Sequence, residues 1–272
     1  MRLNHPIFNQ PLNAGVVLEA NEWNRDYDNS GVWVVQTGKL GSEVDYGVVS
    51  DGLGFEDSPD CERISGGINS KGPRAVAIGR QANMLQWGFY AAPDRMTQSA
   101  QRAFLNALVY MQAFDGQRPL VEKRFRARAW VTKSIEMIDM LADLEGDNLA
   151  SIEQYLKGLF PLELIEEHGL DKKVLSAWSE ANMEYLRRTG QGSLLVDAEL
   201  AELGVSNRQP AFLDLLVTRL TADPKDPLAQ TLIERYLDQE ALQDADPLAW
   251  IQARRADLFF SDTGGFRWFL GK

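Results

Sequence analysis

The stretch "GPRAVAIGRQANMLQWGFYAAPDRMTQSAQRAFLNALVYM", residues 72–111, decides how the N-terminal part of the chain reads. Its apolar run "RAVAIG" (74–79) has strand character and leaves through a polar exit carrying Arg80, Gln81 and Asn83, with Trp87 beyond. A helix follows. Thr97 stands where an N-cap would, and Ala100, Phe104, Ala107, Leu108 and Met111 recur at spacings of three and four. Just upstream, Gly67 to Gly72 has the spacing of a phosphate loop. However, Pro73 and Arg74 stand where Lys and Ser or Thr are required, and the strand follows the loop instead of preceding it. That motif is excluded.

Working outward, "AGVVLEA" (14–20), "GVWVVQTG" (31–38) and "VDYGVVS" (44–50) read as further short strands separated by turn residues. No Lys or Arg lies between Leu40 and Arg63, whereas Glu43, Asp45, Asp51, Glu56, Asp57, Asp60 and Glu62 do, and the segment reads as an acidic loop. It lacks the ligand order of a calcium loop, so no metal is expected there. "FDGQRP" (114–119) closes this part, placing a domain boundary at Gly116: an α/β domain over 1–116 and a helical domain over 117–272.

Beyond the boundary almost every segment has helical periodicity. Phe125, Trp130, Ile135, Ile138 and Leu141 mark one helix, and 150–161 and 161–169 two short ones. Residues 171–188 carry Val174, Leu175, Trp178, Met183, Tyr185 and Leu186 on one stripe. Further helices are expected at 197–203, 209–221, 227–237 and 246–256. Pro210, Pro227 and Pro247 each follow a polar residue, the first-turn position that suits proline. The end, "LFFSDTGGFRWFLGK", is a β-type run whose Phe259, Phe260, Phe266, Trp268 and Phe269 would anchor the C-terminus.

Bulk composition removes several function classes. With 272 residues, 44% of them hydrophobic, the chain can build a sizeable core. The net charge of −11 disfavours a nucleic-acid partner and an anionic membrane surface. No apolar run is long enough to span a bilayer and the N-terminus lacks a signal-peptide core, so the expected location is cytoplasmic. The solitary Cys61 is flanked by acids, which oppose thiolate formation, and excludes a disulfide framework. Of the two histidines, His168 sits at a helix end that favours a cation, and His5 lies near the terminus.

"NHPIFNQPLN" (4–13) and residues 72–111 resemble the second half of glutamine-amidotransferase-like domains of the trehalose-utilisation type, and the ending resembles the tail of bacterial proteins carrying such a domain. The resemblance covers residues 4–113. It implies a flavodoxin-like α/β part with an incomplete sheet, followed by an all-α domain, mixed α+β overall. An open sheet edge would then call for a protein partner or self-association. The family's nucleophilic cysteine belongs to a half of the domain that this chain does not show, and Gln81 stands at the position of its histidine. An amide cannot replace imidazole as a base, so amidotransferase chemistry is not implied.

These readings lead to a non-catalytic ligand-binding or protein-interaction protein, with no catalytic residue, cofactor or metal expected. Any ligand is expected at the exit of strand 74–79, lined by Arg80, Gln81, Asn83 and Trp87, with Arg80 offering a fork to a carboxylate or phosphate. The structural reading of the same four residues has Gln81 and Asn83 bonding loop backbone and Trp87 packing on the 98–113 helix. Two alternatives stand beside this: a hydrolase of sugar-like or amide substrates using Asp51, Glu56 and Asp57 facing Arg80, and a scaffold subunit of a larger complex.

Overall fold

The structure, a computed structural model, describes residues 1–20, 31–37, 47–69, 72–139, 146–188, 194–243 and 246–271. Expectations placed on Glu43, Asp45, the start of the 44–50 run and Leu141 lie outside the described residues. The chain divides into two units, Met1–Pro119 and Leu120–Lys272. The sequence puts that boundary at Gly116.

In the first unit a short helix α1 (Pro6–Asn9) is followed by β1 (Leu18–Glu19), which pairs antiparallel with β2 (Val32–Trp33). The main sheet is a meander of β3 (Cys61–Asn69), β4 (Gly72–Gln81) and β5 (Met84–Trp87) in sequential antiparallel order. The α2 helix (Gln98–Met111) closes the unit, and Thr97 caps it by accepting from Ala100 N at 3.2 Å. Ile7, Phe8, Ile64, Ile78, Ala103 and Ala107 share the core beneath α2.

The class is mixed α+β. The flavodoxin-like arrangement is corrected: such a sheet is parallel with helical crossovers, whereas β3, β4 and β5 join through tight antiparallel connections. The β4–β5 turn takes only Ala82 and Asn83, with Ala82 left-handed at φ 46°. β3 begins inside the segment read as an acidic loop, because two glycines and two charges hide its alternation. Described residues 47–50 carry no strand of their own; Ser50 instead makes a bridge with Val76, N to O at 3.1 and 2.9 Å. Gly88 permits the close approach there, since a Cβ would lie 2.6 Å from Ala77 O and 2.8 Å from Val48 O.

The second unit contains α3 (Ala129–Glu136), α4 (Gly146–Lys157), α5 (Leu162–His168), α6 (Lys172–Asn182), a hairpin of β6 (Leu186–Arg188) and β7 (Leu194–Val196), then α7 (Ala198–Leu203), α8 (Pro210–Ala222), α9 (Pro227–Tyr236), α10 (Gln239–Leu242) and α11 (Pro247–Arg254), and a closing hairpin of β8 (Leu258–Ser261) and β9 (Arg267–Leu270). Pro210, Pro227 and Pro247 open their helices, and Asp226 and Asp246 supply the caps ahead of two of them. The all-α description is therefore corrected to helices with two hairpins. The 171–188 stripe is not one helix: α6 ends at Asn182, and Leu186 is buried in β6 opposite Val196.

A buried guanidinium organises this unit. Arg128, 2% exposed, donates through Nε to Asp262 Oδ1 at 2.8 Å, through one terminal nitrogen to Met183 O at 2.9 Å and through the other to Asn207 Oδ1 at 3.1 Å. Its backbone N also donates to Asp262 Oδ2 at 2.9 Å. The group thus fastens the start of α3 to the β8–β9 turn and to both sides of the β6–β7 hairpin. Trp268 performs the same service for α9, pairing with Leu237 and donating Nε1 to Asn207 O at 2.8 Å. Removing one partner of a buried ion pair strands the other without water. Arg128→Ala and Asp262→Ala should each destabilise the chain by about 3–5 kcal/mol, and the double variant by clearly less than the sum, read by urea denaturation.

Candidate functional site

The sequence-predicted residues do not stay together. Arg80 lies near the end of β4 with its side chain only 11% exposed. Gln81 ends the strand, its Cα paired with Cys61 and Met84. Asn83 is exposed at the hairpin tip. Trp87 points to another place, packing edge-on against Trp33, Phe89 and Phe104, with ring centroids 6.4, 5.2 and 5.2 Å away. Phe104 belongs to α2, which is the structural reading of Trp87. Among the described residues, Trp87 Nε1 is buried with no hydrogen-bond partner.

What surrounds Arg80 is a polar cluster centred on Glu62 of β3, directly opposite it in the ladder. Glu62 Oε2 accepts from Tyr110 OH at 2.6 Å and lies 3.4 Å from Arg80 Nε. Glu62 Oε1 lies 3.2 Å from His5 Nε2 and 3.5 Å from an Arg2 terminal nitrogen. Arg80 also donates to Ala82 O at 3.1 Å and lies over the Phe114 ring at 3.8 Å. Three segments therefore converge on one carboxylate of β3: the N-terminal residues, β4 and α2.

His5 is held by both ring nitrogens. Nδ1 accepts from Ile7 N at 3.2 Å, capping α1, so Nε2 carries the proton and donates to Glu62. Burial pushes the His5 pKa below its usual value and outweighs the attraction of Glu62. For Glu62, burial works upward, but the Tyr110 hydroxyl, His5 and Arg80 prevail and hold the carboxyl below the usual range. Tyr110 is pushed up to about 12, by burial first and then by its bond to Glu62. The cluster is a fully engaged network of donors around one acceptor, with no imidazole nitrogen left to take a proton from a substrate.

Sequence reasoning named Arg80 and missed Glu62, His5 and Tyr110 as its partners. Tyr110 had left a signal: it follows Ala103 and Ala107 at helical spacing on the buried stripe of α2. The carboxylates suspected of facing Arg80 have other engagements. Asp51 accepts from Leu53 N at 2.9 Å, and Glu56 from Arg2 and from Arg63 N, each at 3.2 Å. The carboxylate that pairs with Arg80 is that of Glu62. Among the described residues, no three His, Cys, Asp or Glu side chains are grouped to hold a metal ion, and no helix is long and apolar enough to cross a membrane.

In the second unit, a mostly apolar pocket of about 490 Å³ is lined by Pro210, Leu213, Ala256, Leu258 and Trp268. Its one cation, Arg255, is already held by Asp214 at 2.8 Å and by Pro210 O at 3.3 Å. Fold and site together define an α+β chain with a small antiparallel meander, a helical unit and polar clusters that satisfy themselves. Comparison with protein-family models, with curated proteins and with solved structures found no match.

Arg80 and Asn83 are separated by the variants they tolerate. Arg80→Ala loses the Glu62 pair, the Ala82 bond and the Phe114 stack, and should cost about 2 kcal/mol. Asn83→Ala at the exposed tip should change stability by no more than about 0.5 kcal/mol in the same chemical denaturation.

Proposed function

We propose that the chain is a non-catalytic protein-interaction protein whose first unit self-associates through the outer face of α2. The observation that carries this reading is the exposure of Leu105, Leu108 and Val109, at 51, 55 and 48%. They lie three and four residues apart on one side of α2, while the buried side is built from Ala100, Ala103, Asn106 and Ala107. Of the stripe expected at Ala100, Phe104, Ala107, Leu108 and Met111, the two alanines are buried and Phe104 and Met111 half-buried, while Leu108 faces outward. Three large apolar side chains in a row facing water are a feature of association surfaces.

A second copy is the partner that fits. Arg102 is the only charged side chain in α2, so the net charge of the chain does not fall on this strip. A helix face meeting its own copy forms a closed two-fold contact. The small-ligand branch at Arg80 receives less support, because that guanidinium already has a carboxylate, a carbonyl and a ring. The hydrolase branch receives less support as well, because Arg80 pairs with Glu62 while Asp51 and Glu56 bond elsewhere. On this reading the amidotransferase-like resemblance of residues 4–113 is one of descent and brings no amide chemistry.

Light scattering and sedimentation of the full chain test the proposal. Wild type should form dimers or larger species. Leu105→Glu combined with Val109→Glu should be monomeric, with unchanged circular dichroism and unfolding midpoint. A wild-type chain that stays monomeric up to its solubility limit overturns the reading.

A further inference from the structure

We propose that residues 1–14 form an acid-sensitive hook, held closed by His5 and loosened when that ring gains a proton. The hook lays Ile7 and Phe8 into the core against Ala103 and Ala107 of α2 and Ile64 and Ile78 of the sheet. Its fixed ties are Arg2 N to Ile64 O at 3.0 Å, Leu12 N to Asn106 Oδ1 at 2.9 Å, and Asn106 Nδ2 to Ile7 O and Leu12 O at 3.0 and 2.6 Å. None of these ties contains a titratable group. The ties that do are His5 to Glu62 and the Arg2 side chain to Glu56 and Glu62, and of these His5 alone brings an imidazole.

The geometry explains why a proton opens it. In the closed hook, Nδ1 is the acceptor for Ile7 N, and Nε2 faces Glu62. A second proton must go on Nδ1, where it would meet the Ile7 N–H donor to donor. The ring cannot avoid this by turning into water, because it is buried and packs edge-to-face with Tyr110, the two ring centroids 4.8 Å apart. The groups facing His5 are Glu62 from β3, Arg80 from β4, Tyr110 from α2 and Arg2 from the hook itself, with Glu56 beyond Arg2. Glu62 favours the imidazolium and the two guanidiniums oppose it. Guanidinium and phenol groups do not titrate between pH 5 and 7.

The sign follows from proton counting. His5 in the closed hook titrates below 6.5, its ordinary value, and in the lifted hook at about that value. Between the two, the open form binds more protons, so the opening constant rises as pH falls from about 6.5, by up to tenfold per pH unit. The rise stops once the closed form itself is protonated. Above about 6.5 opening does not depend on pH. Glu62, held below its ordinary 4.5, acts only in a lower window.

Amide hydrogen exchange of the full chain, corrected for the pH dependence of chemical exchange, reads the opening of residues 1–14 from pH 7.5 to 5. In wild type, opening should increase several-fold over this range while the core of α2 keeps its protection. His5→Asn retains a good N-cap acceptor that does not titrate, and its hook should open independently of pH. A flat wild-type profile, or a rise in H5N equal to that of wild type, overturns the proposal. Should the H5N hook stand open even at pH 7.5, the imidazole ¹⁵N shifts of wild type decide, with H168Q separating the two histidine signals. An Nε2–H tautomer with a midpoint below 6.5 supports the hook; an Nδ1–H tautomer, or a midpoint at or above 6.5, rejects it.

Discussion

The carboxylate of Glu62 is the constraint on which the first unit depends. Its two oxygens receive Tyr110 OH at 2.6 Å, His5 at 3.2 Å and Arg80 at 3.4 Å, and through them they tie α2, the N-terminal segment and β4 to β3. A carboxylate withdrawn in part from water is costly unless hydrogen bonds replace that water, and around the half-buried Glu62 the donors are numerous enough to hold it ionised. The same arithmetic explains Tyr110, which keeps its proton because the alternative is two anions in contact. Each member is poised for its neighbours. A site built this way positions segments of chain and leaves little free for a ligand.

The second unit solves the same problem with the signs reversed. Arg128 is the buried charge, and Asp262, Met183 O and Asn207 are its acceptors. Rings of Phe266 and Phe260 stand 4.8 and 5.4 Å from the guanidinium carbon, adding cation–π contact where no water reaches. A second hub, the fully buried Asp197, caps α7 through Leu200 N and accepts from Tyr236 OH at 2.7 Å and Arg235 at 2.8 Å. Burial first, and the bond to Asp197, push the Tyr236 hydroxyl far above its usual range. In both units the ionisable residues with displaced pKa values are explained by neighbours within the fold. Displaced titration is therefore poor testimony for catalysis in this chain.

How legible this was in the sequence varied with the range of the interaction. Thr97 marked the start of α2 because an N-cap acts on a backbone group three residues away. Pro227 and Pro247 marked α9 and α11 for the same reason, with Asp226 and Asp246 ahead of them. The closing strand character was legible from the aromatic run around the Gly-Gly turn; Phe266 and Trp268 are buried, whereas Phe259, Phe260 and Phe269 are half-buried. β3 was not, because its alternation is broken by Gly66 and Gly67 and its register shifts along β4. Nor was the sense of the sheet, since "RAVAIG" suits a parallel strand and a meander equally well.

The site shows the same division. Arg80 stood out as a charge at a strand exit, but the sequence offered it as a fork for a ligand. Only the fold brings Glu62 opposite it and lays Phe114 beneath it. His5 and Glu62 are 57 residues apart and Tyr110 and Glu62 are 48 apart, so no local pattern announces either pair. The sequence by itself determined the starts of α2, α8, α9 and α11, the helical character of the second unit and its aromatic end, because caps, prolines and periodicity act within a turn or two of chain. Tertiary structure alone decided the antiparallel order of β3 to β5, the choice of alanines over leucines for the buried face of α2, and the partners of Glu62. Those outcomes depend on which distant surfaces exclude water together, and that is settled only when the chain closes on itself.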